Sequence, residues 1–163
     1  MATTLKNLSD NNLSGIKNAG SFKIAIIVSE WNEEVTEALY AGAVSTLKSS
    51  GMFAPAIVRY DVPGVFELAL AAQWTAAREE IDAVICLGCV IQGETRHFDF
   101  ICQASADGIT NVGLKYDKPI IFGVLTPNTQ KQALDRAGGK HGNKGDEAAA
   151  AALKMLQLKQ QIK

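Results

Sequence analysis

Residues 81–91 read IDAVICLGCVI, and the reading of this stretch decides the fold. Apart from Asp82 it carries no charge, it does not alternate between polar and apolar residues, and it is rich in small and β-branched side chains. A strand of that kind is buried on both faces, which in a globular chain requires helices packed above and below a parallel sheet. Immediately beyond it, residues 92–100 read QGETRHFDF. The chain thus leaves the core straight into Gly93, Glu94, Thr95, Arg96 and His97, groups that donate hydrogen bonds and carry protons.

Outward from this strand the apolar pattern alternates strands with helices. Upstream, FKIAIIVS (22–29) reads as a buried strand and NEEVTEALYAGAVSTLKSSG (32–51) as a helix stopped by Gly51. PAIVRYDV (55–62) reads as a second strand, and Pro63 and Gly64 turn the chain into a second helix, VFELALAAQWTAARE (65–79). Downstream, Phe98, Ile101, Cys102, Ser105, Ile109 and Val112 mark one face of a helix ending near Gly113, and KPIIFGVL (118–125) is a fourth strand. TPNTQKQALDRAGG (126–139) reads as a helix capped by Thr126, with Pro127 at its first position and Gly138 and Gly139 closing it. A last helix runs from about Asp146 to Gln160, after the loop KHGNKG (140–145). Strands alternating with helices, all buried on both faces, predict an α/β, three-layer sandwich around a central four-stranded parallel sheet.

The 163 residues, 47% of them hydrophobic, suffice for one domain with a core and not for two. Residues 22–163 are expected to form that single domain. Residues 1–21, rich in Asn, Ser, Gly and Lys without periodicity, are expected to be a polar arm, disordered alone or ordered by a neighbour. Lys plus Arg number 16 against 17 Asp plus Glu, so the charge balance suggests neither nucleic acid nor an anionic membrane as partner and favours small molecules or proteins. No apolar run reaches the roughly 18 to 20 residues that span a bilayer, and the start, MATTLKNLSDNNLSGIKNAG, has no apolar export segment. The expected place is the cytoplasm. Cys86 and Cys89 share a CxxC spacing, but residues three apart in a strand face opposite ways and no further ligands accompany them, so they read as small core residues and no metal is expected.

In a doubly wound sheet ligands sit beyond the carboxyl ends of the strands, among helix N-termini. Gly93, Glu94 and Thr95, read as the start of a helix, are therefore candidates for an anion site, weighed against an ordinary turn and cap. His97, in the first turn of that helix, can accept and return a proton near neutral pH, although a lone histidine is more often structural or exposed. Trp31 and Phe66 both fall at strand ends, which suggests a flat heterocycle stacked there, and Glu67 is either a helix-dipole partner or a reader of a ring N–H. Arg136, near a helix end, reads as a dipole partner on its own. GGKHGNKG contains no GxxxxGK[ST] string, no GxGxxG follows the first strand, and the third strand does not end in the aspartate of a phospho-receiver.

Taken together and in order, EWN, VPGVFEL, LGCVIQGETRHFDFIC, PIIFGVLT and DRAGGKHGNKG resemble the 6,7-dimethyl-8-ribityllumazine synthase family over about residues 22–160. Five segments agree at the strand ends of one fold. The resemblance implies a flavodoxin-like sandwich and an enzyme that condenses 5-amino-6-(D-ribitylamino)uracil with 3,4-dihydroxy-2-butanone 4-phosphate, the penultimate step of riboflavin biosynthesis, with no metal or organic cofactor. It gives Trp31 the aromatic position, often Phe, that stacks on the pyrimidine. It gives Val65, Phe66 and Glu67 the ribityl chain, and Cys89, Val90 and Ile91 the strand end whose backbone reads the ring edge, with Cys89 where Thr is common. Glu94 and Thr95 match the phosphate turn, and His97 the proton-transfer residue. Phe122, Arg136 and the basic Lys140 match an aromatic wall and a phosphate clamp, with Phe122 and Arg136 supplied by the adjacent subunit. Members of the family assemble as homopentamers, some closing into a 60-subunit shell, and the N-terminal segment can join a neighbour's sheet. A non-catalytic flavin-binding or shell-forming protein on this scaffold, and the archaeal-type riboflavin synthase, are the alternatives kept; a container needs neither His97, Thr95 nor Arg136.

Overall fold

A computed structural model of the chain describes residues 6–162; the first five residues of the expected arm and Lys163 lie outside the described residues. The central sheet is parallel, with strands β1 (Ile24–Ser29), β2 (Ile57–Val62), β3 (Ala83–Cys89) and β4 (Ile120–Leu125) in the order β2-β1-β3-β4. β3 is buried at every position and lies between β1 and β4, with Ile24 opposite Ala83 and Cys86 opposite Phe122. Full burial on both faces holds for β1 and β3 only. β2 is half-buried along most of its length and β4 over its first half, because they are the two edges of the sheet.

Alternate residues of β1 divide the core in two, as a pleated strand must. Ile24, Ile26 and Val28 pack with Leu39 and Leu47 of α1 (Glu33–Ser49) and Leu153 of α5 (Lys144–Ile162). Ala25 and Ile27 pack with Leu68 and Ala72 of α2 (Leu68–Ala76) and Ile109 of α3 (His97–Tyr116). This is the three-layer sandwich. No helix among the described residues is long and apolar enough to cross a membrane.

The differences from the sequence reading cluster at element ends. α2 begins only at Leu68, so Val65, Phe66 and Glu67 belong to the loop before it. α3 begins at His97, leaving Glu94 and Thr95 in the turn that precedes it, and runs on to Tyr116, where Asp117 takes up a left-handed conformation at φ 48°. α4 is short, Gln130–Leu134, and its cap is Thr129, whose side chain accepts from the Gln132 amide; Thr126 and Pro127 lie outside it. The two glycines expected to end that helix both stand in β5 (Ala137–Gly139), which pairs with β6 (Gly142–Asn143) in a small hairpin that periodicity could not reveal. The described part of the arm lies against its own domain, with Leu8 and Ala19 buried and the Lys17 amide donating to Gln157 Oε1 at 3.0 Å.

Candidate active site

Three adjacent strands, β2, β1 and β3, open their carboxyl ends onto one cavity of about 770 Å³, within the range of small-molecule sites. Its walls are Trp31 and Asn32 after β1, Gly64, Val65, Phe66 and Glu67 after β2, Cys89, Val90 and Ile91 at the end of β3, and His97 and Ile101 from α3. Eight of the expected residues therefore meet here. Trp31 is 73% and Phe66 58% exposed at the mouth, an unusual place for two large aromatic side chains unless something flat covers them. Glu67 folds its carboxylate back over Gly64, where an added Cβ would come within 3.0 Å of Oε2.

The walls are tied by hydrogen bonds between loops distant in sequence. Asn32 takes a left-handed conformation at φ 62°, and its Nδ2 donates to the Cys89 carbonyl at 2.8 Å, fixing the Trp31 turn to the end of β3. On the other side the Val90 and Gln92 amides donate to the Leu125 and Pro127 carbonyls at 2.8 and 3.0 Å. Burial pushes the Cys89 thiol up to about 12, so it stays protonated near neutral pH and is no nucleophile.

His97 opens α3 from an exposed position on the cavity wall, and its amide donates to Thr95 Oγ1 at 3.4 Å. Glu94 and Thr95 are exposed beside the cavity without lining it. Arg136 lies elsewhere, beyond the end of β4, in a second cavity of about 280 Å³ lined also by Thr126, Asn128, Gln132 and Lys144. Its Nη1 donates to the Gln132 carbonyl at 3.1 Å, the helix-end contact that its position suggested. Lys140 is exposed in the turn of the hairpin, and Phe122 is half-buried on edge strand β4, against the α2 and α3 side of the core. Within one chain, Phe122, Arg136 and Lys140 thus do not line the cavity of Trp31 and His97.

Two polar neighbours were not singled out from sequence. Asn32 reads as the first residue of an ordinary helix, and only its contact with Cys89, 57 positions away, gives it a part in the cavity. Lys144, hidden in a loop that fails as a phosphate motif, stands beside Arg136 with its ammonium 3.1 Å from Glu147 Oε2. A second cation near the first was the signal available.

A sequence model of the family described as 6,7-dimethyl-8-ribityllumazine synthase matches residues 21–160. The chain is 62% identical over 157 residues to the 6,7-dimethyl-8-ribityllumazine synthase of Cytophaga hutchinsonii, covering 96% of this chain and 98% of that protein. It is 50% identical to the protein of the same name from Flavobacterium johnsoniae, over 99% of this chain and 85% of that one. The Parabacteroides distasonis protein of that name is 49% identical, over 96% and 98%. With the sheet, the cavity and a match across nearly its whole length, the chain belongs to the 6,7-dimethyl-8-ribityllumazine synthase family.

Proposed function

We propose that the cavity between Trp31 and His97 is one half of the site in which this transferase condenses 5-amino-6-(D-ribitylamino)uracil with 3,4-dihydroxy-2-butanone 4-phosphate. The single observation that carries the reading is the meeting of two exposed aromatics, a carboxylate and a histidine in one cavity at the strand ends of a chain from this family. The pyrimidine stacks on Trp31, its edge faces the Cys89–Ile91 backbone, and Val65, Phe66 and Glu67 take the ribityl chain, Glu67 through its hydroxyls. The primary amine of the uracil attacks the ketone, and water leaves as the imine forms. Phosphate is then eliminated and the ring closes with loss of a second water. His97 moves protons in these steps, and holding two substrates together contributes several kcal/mol in a bimolecular reaction.

The phosphate belongs with Glu94 and Thr95 of the turn before α3, with the basic Lys140, and with Arg136 of an adjacent subunit, whose Phe122 forms an aromatic wall. Separation of Arg136, Lys140 and Phe122 from the cavity of His97 within the chain supports a site shared between subunits of a homopentamer. Residues 22–163 are its domain and residues 1–21 its arm, at work in the cytoplasm; the short GGKHGNKG loop favours the 60-subunit shell. The test is direct: purified protein is mixed with the two substrates and lumazine absorbance is followed against a protein-free control. Acceleration is expected; none at all removes the reading and leaves a binding protein or shell.

A further inference from the structure

The Arg136 cavity has one wall that comes from the far end of the chain. Leu8, only 6% exposed in a polar arm, lines it together with Arg136 and Lys144. The contact is built rather than incidental. The Leu8 amide donates to the His141 carbonyl at 2.8 Å, and the Asn143 amide donates to Ser9 Oγ at 2.9 Å, so the arm grips the β5–β6 hairpin on both sides of Gly142. At Gly142, φ is 81°, and an added Cβ would meet Asn7 Oδ1 at 2.0 Å and the Ser9 nitrogen at 2.7 Å. The arm therefore seats on a surface that only glycine leaves open. The hairpin in turn holds the backbone around Arg136, because the Lys144 amide donates to the Arg136 carbonyl at 2.8 Å and the His141 amide to that of Asp135 at 2.7 Å.

We infer that Leu8 and Ser9 are positioning residues for the anion clamp: the arm fixes the hairpin, and through it the guanidinium of Arg136, at the geometry that takes the phosphate of the butanone substrate. The inference rests on the assignment of Arg136 to that phosphate. Loss of the arm contact should be felt by the anionic substrate and not by the planar one, since the Trp31 cavity lies beyond a different part of the sheet.

The experiment compares steady-state kinetics of the full assembly for the parent, Ser9→Ala, Ser9→Thr, Leu8→Ala and Arg136→Ala, with light scattering on each. Expected for Ser9→Ala and Leu8→Ala is a KM for the butanone phosphate raised about three- to tenfold. The KM for the uracil amine and the particle mass should be unchanged, and Ser9→Thr should restore the parent value. Inorganic phosphate should lose potency as a competitive inhibitor in the same variants. An unchanged KM for the butanone phosphate in Ser9→Ala, an equal rise for both substrates, or a change that follows loss of particle mass overturns the inference. If Arg136→Ala itself leaves that KM unchanged, it is the assignment of Arg136 that has failed. Should Leu8→Ala not fold, Ser9→Ala, an exposed hydroxyl substitution, decides alone.

Discussion

His97 and Arg136 stand in different cavities of the chain, and substitutions at the two should be felt in different kinetic constants. A general acid–base group contributes roughly two to four powers of ten. His97→Ala is expected to lower kcat by about a hundredfold with little change in either KM, because stacking and the backbone contacts remain. On the proposed assignment of Arg136 to the phosphate, Arg136→Ala takes away a charge-assisted bond worth about 1.5–3 kcal/mol, so the KM for the butanone phosphate should rise by at least tenfold while the KM for the uracil amine holds. Stopped-flow or steady-state absorbance with each substrate varied in turn checks both. A third residue, Glu37, carries a pH signature. The hydrogen bonds from Arg59, which stacks on Tyr40 at 4.4 Å, hold its carboxyl below the ordinary value. A carboxyl depressed in the folded state stabilises above its unfolded pKa and loses that contribution as the pH falls through the folded value. Glu37→Gln should therefore lower stability at pH 7 by under about 1 kcal/mol, since the pair is partly exposed. The difference from the parent should close below about pH 4, as followed by thermal melts across the acid range.

At the scale of elements, the contact between α1 and α5 depends on small residues. A Cβ on Gly145 would come within 1.9 Å of the Leu39 carbonyl oxygen, and one on Gly42 within 2.6 Å of Asn143 and Asp146 side-chain atoms. The Leu39 oxygen is helical backbone and has nowhere to move. Gly145→Ala is expected to destabilise by about 2 kcal/mol or more, read from urea midpoints, and a neutral outcome would mean that the two helices can separate without cost. Gly42→Ala faces flexible side chains and should cost less. Asn143 joins these elements to the hairpin, its Nδ2 donating to the Ala38 carbonyl at 2.8 Å and its Oδ1 accepting from the Gly145 amide at 2.7 Å. Changes in that helix pair will thus reach the segment that carries Arg136.

At the scale of the whole molecule, several large apolar side chains stand exposed away from the candidate site. Trp74, Phe100 and Leu114 are 66%, 65% and 78% exposed, on α2 and α3 rather than around the cavity of Trp31. Surfaces of that kind mark contacts with other chains. The homopentamer proposed above predicts a particle in solution of at least five copies of the 17.4 kDa chain. Light scattering that returned the mass of one chain would sink both the pentamer and the shared site.

Much of this was legible along the chain because it depends on local pattern. The run 81–91 announces a buried strand, helical spacing announces α1 and α3, and the strand-end segments place Trp31, Glu67 and His97 at the mouth of the sheet without any coordinates. Hydrophobic period and strand–helix order fix the winding, the two-sided core and the side on which chemistry is possible, and both are written along the chain. What long separations bring together emerges only in the packed fold. A hairpin of glycines, the bond from Asn32 to Cys89 and the seat of Leu8 beside Arg136 all turn on backbone direction and contact between separate segments, for which neither composition nor period leaves a signal.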